Sequence, residues 1–174
     1  MPHVNFGTKD EPGFDLEESP DLIAVRTRSR RSIAAAALAD GTMIAAFPDA
    51  GVEVFQVPAA SLAECKRRLR AAPDVRFAGS ALVHPGTKEP VLYTENIYVR
   101  FKEGVESDDC EAAIRTAGLT VRECLAHATN AYIAAAPEGT GQRIFDIALD
   151  LLSRDDVLYC HPELIQRSRR YAKV

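Results

Sequence analysis

Apolar residues between positions 96 and 165 follow two different periods. Ile97, Val99 and Phe101 alternate with polar residues, as in a strand with one buried face, whereas Ile144, Phe145 and the apolar residues after them recur at helical spacing. Ser107 is a suitable N-cap, and Gly118 is a suitable stop for the helix between them. The pattern therefore predicts, in order, strand, helix, strand, strand, helix and strand over residues 96–102, 107–117, 119–125, 130–135, 142–153 and 157–165.

The first half of the chain repeats this order. Asp21–Thr27 resembles Glu95–Phe101, and Ala72–Leu82 resembles Arg154–Leu164. Between these ends the pattern predicts strands over 22–27, 42–47, 52–57 and 75–83, and helices over 31–39 and 61–72. The predicted fold class is therefore α+β, with two tandem ferredoxin-like βαββαβ units, each an antiparallel sheet with its helices on one face.

Proline, glycine and charge divide the chain around these units. Residues 1–20 are acidic and broken by proline and glycine, which predicts a flexible arm. The first unit is predicted over 21–84, a linker over 85–94, the second unit over 95–166 and a basic tail over 167–174. The arm is either a solvated terminus or a segment that contacts a partner.

Composition narrows the class of protein. The chain has 174 residues, 47% of them hydrophobic and 26% charged, as in an ordinary globular protein. A net charge of −4 and the lack of a long basic face argue against nucleic-acid binding. No apolar run is long enough for a membrane span, and the N-terminus has no visible secretory signal. Four cysteines without a CxxC pair favour free thiols, so a cytoplasmic location is expected.

Chemistry-bearing residues do not form a recognisable active site. Cys160 and His161 are neighbours in a predicted strand and so point to opposite faces. Cys124 and His127 could meet across a turn, but no third group is available to orient them. The Cys and His spacing matches no strong zinc pattern, and no phosphate loop is present. We therefore expect no enzymatic activity, no metal and no cofactor.

Several strings of the second unit resemble the propeptide of subtilisin-like serine proteases. They are Ile97-Tyr-Val-Arg-Phe-Lys-Glu-Gly104, Ala117-Gly-Leu-Thr-Val-Arg122, Asn130-Ala-Tyr-Ile-Ala134 and Leu152-Ser-Arg-Asp-Asp-Val-Leu-Tyr-Cys-His-Pro-Glu-Leu164. Tandem copies of this unit also resemble the N-terminal regions of some bacterial subtilisin-like proteases. The sequence departs from the family at Cys160, where a small alanine is usual, and no protease domain follows Val174 in this sequence.

The resemblance implies an inhibitor or folding chaperone of a subtilisin-like serine protease. The sheet would dock on the protease, with Tyr98, Arg100, Arg122 and Tyr132 as expected contact residues, although the register leaves Glu123 and Asn130 open as replacements for the last two. The C-terminal tail would enter the active-site cleft with residues Arg170, Tyr171, Ala172, Lys173 and Val174. A frayed basic end is the alternative for the tail. The alternative for the whole protein is a tandem ferredoxin-like regulatory module that binds a small ligand or a partner protein.

Overall fold

The computed structural model describes residues 1–5, 8–28 and 41–165. In chain order the strands are β1 (His3–Val4), β2 (Phe14–Asp15), β3 (Glu17–Thr27), β4 (Thr42–Phe47), β5 (Val52–Gln56), β6 (Val75–Val83), β7 (Pro90–Phe101), β8 (Thr120–Cys124), β9 (Ala131–Ala135) and β10 (Val157–Ile165). The helices are α1 (Leu62–Ala71), α2 (Ser107–Thr116) and α3 (Arg143–Leu152). Within these ranges no helix is both long and apolar enough to span a bilayer.

The chain forms two compact units, and both mix antiparallel strands with helices. Glu17–Leu92 make the first unit, and Tyr93–Val174 together with Met1–Leu16 make the second. The predicted α+β class with ferredoxin-like units is confirmed by the strand order in each sheet. The predicted unit boundaries differ from these, because residues 1–16 join the second unit and residues 17–20 extend β3.

The first unit has the strand order β4-β5-β3-β6, which is the ferredoxin-like order. Its core lies between the sheet and α1, where Ile23, Phe55 and Leu69 are buried together. Phe77 lies over Gly79, and a Cβ on that glycine would come within 2.5 Å of the ring. The Phe77 ring can therefore pack against the backbone of residue 79 only because that residue has no side chain. The predicted helix over 31–39 lies outside the described residues.

The predicted linker over 85–94 is mostly strand and turn. Leu82 pairs with Val91 and Val83 pairs with Pro90, so the end of β6 and the start of β7 form a hairpin. Val91 and Leu92 are buried, and this burial offsets the cost of ordering a segment that proline and glycine would otherwise leave extended. The exposed turn between the two strands is the part of this segment that agrees with the prediction of a linker.

The second unit has the order β8-β9-β7-β10, again the ferredoxin-like order. Ile97, Val99 and Phe101 alternate as predicted and are almost fully buried on the face that carries the helices. Helix α2 ends where Gly118 takes a φ of +77°, a conformation that other residues rarely adopt. Helix α3 is apolar along much of its length, since Ile144, Phe145, Ala148, Leu151 and Leu152 are all buried.

Residues 1–16 form a hairpin rather than the predicted flexible arm. Strands β1 and β2 pair antiparallel, and β1 lies against α3. Val4 and Leu16 are fully buried, and the Asn5 side chain donates hydrogen bonds to the carbonyls of Thr8 and Glu11. The acidic composition of the segment gave no sign that Val4 and Leu16, twelve positions apart, are brought together by the hairpin. Burial of their side chains offsets the cost of ordering the segment.

Candidate functional site

The face of the second sheet that is opposite the helices is the candidate site, and we call it the outer face. Register defines its members, because directly paired residues point to the same side of a sheet. On β7 and β9 the pairs are Asn96 with Ala135, Tyr98 with Ile133, and Arg100 with Ala131. Strand β8 adds Thr120 and Glu123, which oppose Ala135 and Ile133. On β10 the face carries His161 and, by alternation in both directions, Tyr159 and Glu163.

Two aromatic rings lie at the centre of the outer face. Tyr98 of β7 and His161 of β10 are stacked, with ring centroids 5.3 Å apart and an angle of 25° between the planes. They line a shallow depression of about 550 Å³. Its other lining residues are Asn96, Ile97, Ile133, Glu163 and Leu164. An open depression with aromatic and aliphatic walls suits a side chain of a protein partner better than an enclosed small molecule.

Opposite charges occupy the two ends of the outer face. The Nε of Arg100 is buried and has no hydrogen-bond partner among the described residues. At the other end, Oε2 of Glu163 accepts hydrogen bonds from Thr94 Oγ1 at 2.6 Å and Asn96 Nδ2 at 2.9 Å. These two donors hold the exposed carboxylate in place over the middle of β7.

Of the residues predicted for docking, the structure brings Tyr98 and Arg100 together on the outer face. Arg122 is exposed, and it is the extra residue of a bulge between Val121 and Glu123 in β8. The register leaves Glu123, rather than Arg122, opposite Ile133. Asn130 does not join the face either, because its side-chain amide donates to the carbonyls of Lys102 and Val105 and holds a turn.

The prediction that Tyr132 contributes to docking is wrong. Tyr132 pairs with Val99, so it points toward the helices, and it is only 2% exposed. Its hydroxyl shares a hydrogen bond of 3.2 Å with Ser107 Oγ, and its ring meets Phe101 edge-on. Burial raises the pKa of the Tyr132 hydroxyl and that of the neighbouring Cys110 thiol. A tyrosine placed one register step away would have faced solvent, and the sequence alone did not fix that step.

Sequence reasoning missed His161, Glu163 and Ile133 as members of the outer face. Alternation along β10 places His161 and Glu163 on one side, and this signal was available. What the sequence lacked was the pairing of β10 with β7, which brings His161 against Tyr98 and Glu163 against Asn96. The predicted tail residues Arg170–Val174 lie outside the described residues.

The remaining chemistry-bearing residues do not converge. Cys160 is buried, and burial raises the pKa of its thiol, which keeps it protonated and unreactive at neutral pH. Cys124 and His127 are both exposed. Within residues 1–5, 8–28 and 41–165, no group of three or more His, Cys, Asp and Glu could hold a metal ion.

A second depression, of about 480 Å³, lies in the first unit beside Asp21. The carboxylate of Asp21 accepts hydrogen bonds from Gln56 Nε2 and Ser19 Oγ, both at 2.8 Å. These bonds, that from Gln56 most of all, lower the pKa of Asp21. Because its neighbours already satisfy this carboxylate, the depression has less binding potential than the outer face of the second unit.

Comparisons with known proteins relate the chain to proteases. It is 34% identical over 189 aligned positions to a calcium-dependent protease of Nostoc sp. (strain PCC 7120) and 35% identical to a calcium-dependent protease of Trichormus variabilis. Each alignment covers 98% of this chain but 28% of the relative, so the chain spans just over a quarter of the length of these proteins. No protein-family model matches the sequence.

A search of solved structures adds one match. The small subunit of acetolactate synthase from Thermotoga maritima aligns with 84% of this chain and 96% of its own length, at 8% identity and a TM-score of 0.29. A superposition this loose carries no argument about function. The sequence matches therefore supply the functional link, and they make this chain a protease-related protein.

Proposed function

We propose that this chain is an inhibitor and folding chaperone of a subtilisin-like serine protease, and that it has no catalytic activity of its own. The observation that carries the proposal is the alignment of nearly the whole chain with one part of proteins named calcium-dependent protease. A segment that accounts for 28% of such proteins and folds into ferredoxin-like units fits a region that regulates the rest. The resemblance to subtilisin propeptides supports inhibition and assisted folding as the kind of regulation.

The outer face of the second unit supports the docking half of the proposal. The helices cover one face of that sheet, and the hairpin of residues 1–16 lies against α3, so these described elements do not occupy the outer face and a partner could bind there. Tyrosine and arginine are favoured anchors in protein interfaces, and Tyr98 and Arg100 both lie on this face. Docking there would bury the aromatic centre against the protease.

The C-terminal tail supports the inhibitory half. It follows β10 directly and carries Arg167, Arg169, Arg170 and Lys173 without an acidic residue. An extended segment can enter a protease cleft as an added strand, with main-chain hydrogen bonds and alternate side chains in pockets. Tethering to a docked unit raises the local concentration of the tail, so a weakly binding segment blocks the cleft effectively. Binding only to the folded protease also stabilises that fold, which is how an inhibitor can act as a chaperone.

The test measures peptide hydrolysis by purified active calcium-dependent protease from Nostoc sp. in the presence of this chain. We expect inhibition at micromolar concentrations of the full chain. A variant that ends at Ile165 should keep its circular dichroism spectrum and lose most of the inhibition. Full activity of the protease with excess chain would overturn the inhibitor function, and equal inhibition by the shortened variant would overturn the role of the tail.

The chaperone function needs a separate measurement. The same protease is denatured and refolded by dilution, with and without the full chain, and the recovered activity is measured after the inhibitor has been removed. We expect a higher yield with the chain present. An unrelated protein of similar size and charge serves as the control, and an equal yield with both would refute chaperone activity.

A further inference from the structure

Arg100 is a cationic donor whose Nε has no acceptor in the part of the chain that the structure describes. Its Nε is buried, and no hydrogen bond or ion pair to its guanidinium is found among the described residues. A buried N–H without an acceptor destabilises the folded state, so folded proteins seldom keep one unless something else satisfies it. Arginine presents its donors as a planar fork that matches a carboxylate. The missing acceptor is therefore expected to be a carboxylate.

Glu163 is the opposite charge at the other end of the same face. Its hydrogen bonds from Thr94 and Asn96 both reach Oε2, and no described residue donates to Oε1. The carboxylate is exposed and lies at the edge of the depression lined by Ile133 and Leu164. An apolar depression with a carboxylate at its rim suits a lysine or arginine, whose aliphatic stem packs on apolar atoms while its charge meets the acid.

An apolar strip separates the two charges. Asn96, which holds Glu163, and Arg100 are four residues apart on β7, so their backbone positions are roughly 13 Å apart at about 3.3 Å per residue. The stacked rings of Tyr98 and His161 lie between them, with Ile133 beside Tyr98. The outer face therefore has a direction, with a cation at one end, an apolar centre and an anion at the other.

We propose that the outer face binds one orientation of a protein surface that carries a carboxylate opposite Arg100 and a lysine or arginine opposite Glu163. The apolar side chains of that surface cover Tyr98, His161 and Ile133. This inference rests on the proposed function, since it takes the partner to be the protease, and it adds the charge pattern that the docking surface of the protease must have. The charges fix the direction of docking, because turning the partner around would bring like charges together.

The test measures binding of the full chain to the active Nostoc protease by surface plasmon resonance, with the protease inhibited covalently at its active site. Arg100→Glu should weaken binding at least about tenfold, as expected for loss of an interfacial arginine anchor. Arg100→Lys should have a smaller effect, because it keeps the charge and loses the fork. Glu163→Gln should also weaken binding while keeping an acceptor for Thr94 and Asn96.

Two controls separate this inference from folding defects and from the proposed function. Arg68→Glu makes the same charge change at an exposed position of α1 in the first unit and should leave binding unchanged. Raising the salt concentration should weaken wild-type binding more than binding of Arg100→Glu. If the wild-type chain does not bind, the proposed function fails and this inference fails with it. If the wild type binds and Arg100→Glu binds equally well, only the inference is overturned.

A second copy of the chain is the competing occupant of the outer face. Sedimentation velocity of the chain alone at increasing concentration distinguishes the two. We expect a single species at the 19.0 kDa mass of one chain. A dimer that Arg100→Glu dissociates would show that the carboxylate comes from another copy and would overturn the assignment to the protease.

Discussion

Replacement of Leu16 by alanine tests whether the N-terminal hairpin belongs to the core of the second unit. Leu16 is fully buried, and its N–H donates a hydrogen bond of 2.8 Å to the carbonyl of Pro2. Loss of a fully buried leucine side chain costs about 2–5 kcal/mol, because apolar contacts are lost and a cavity remains. The hydrogen bond is between backbone atoms and survives the substitution, so the whole loss comes from packing.

The rate of thiol labelling measures the loss of stability in each unit separately. Cys110 and Cys160 are buried in the second unit and Cys65 is buried in the first, so mass spectrometry after alkylation reads the opening of each unit. When labelling requires unfolding of the unit, a loss of about 2–5 kcal/mol corresponds to roughly a 30-fold to 5,000-fold faster reaction. We expect this acceleration at Cys110 and Cys160 in Leu16→Ala and a much smaller change at Cys65.

Asp10→Ala provides the matched control, because Asp10 is an exposed residue of the same hairpin. Its labelling rates should equal those of the wild type. Rates at Cys110 and Cys160 that rise less than tenfold in Leu16→Ala would refute the burial of Leu16. That result would restore the interpretation of residues 1–16 as a solvated arm.

Three further predictions test other parts of the structure. Tyr132→Phe should lower the free energy of unfolding by about 0.5–1.5 kcal/mol, because the hydrogen bond to Ser107 is lost, and it should leave protease inhibition unchanged. Tyr98→Ala should weaken inhibition. Weaker inhibition by Tyr132→Phe with unchanged inhibition by Tyr98→Ala would place Tyr132 on the outer face. Gly118→Ala should cost about 1 kcal/mol or more in urea unfolding, because alanine is strained at a φ of +77°, and an unchanged midpoint would contradict that conformation. The hydrogen bonds from Arg154 lower the pKa of Asp156 in the folded state, so its contribution to stability is complete above the ordinary carboxyl pKa of about 3.9 and is lost as the pH falls through the lower folded value. Asp156→Asn should therefore flatten the loss of stability in acid, and identical pH profiles of thermal unfolding for variant and wild type would refute the coupling.

Several features of the fold follow from the sequence because they are local. The bounds of β4, β6 and β10 agree with the predicted strands, since alternation and the flanking turn residues act within a few positions. The end of α2 follows from Gly118 for the same reason. The order of these elements, repeated twice, was enough to predict the ferredoxin-like topology of both units.

The composition of the candidate site needed long-range pairing. Tyr98 and Arg100 could be placed on the outer face from the alternation of β7 alone. Tyr132 could not be placed, because a shift of one residue in β9 exchanges the two faces of the strand. The opposite charges at the two ends of the face could not be predicted from the sequence either, because Glu163 is 67 residues away from Asn96, whose side chain holds it.

The sequence by itself determined the periods, the repeat and hence the ferredoxin-like strand order of the two units, because each of these depends on neighbours along the chain. Tertiary structure alone decided that residues 1–16 complete the second unit, that Tyr132 is buried, and that Glu163 lies at the opposite end of one face from Arg100, whose Nε has no acceptor among the described residues. The physical reason is that burial depends on which distant segments meet. An acidic, proline-containing segment becomes ordered when α3 offers apolar surface to β1, which carries Val4, and no pattern of neighbouring residues in the sequence predicts that contact.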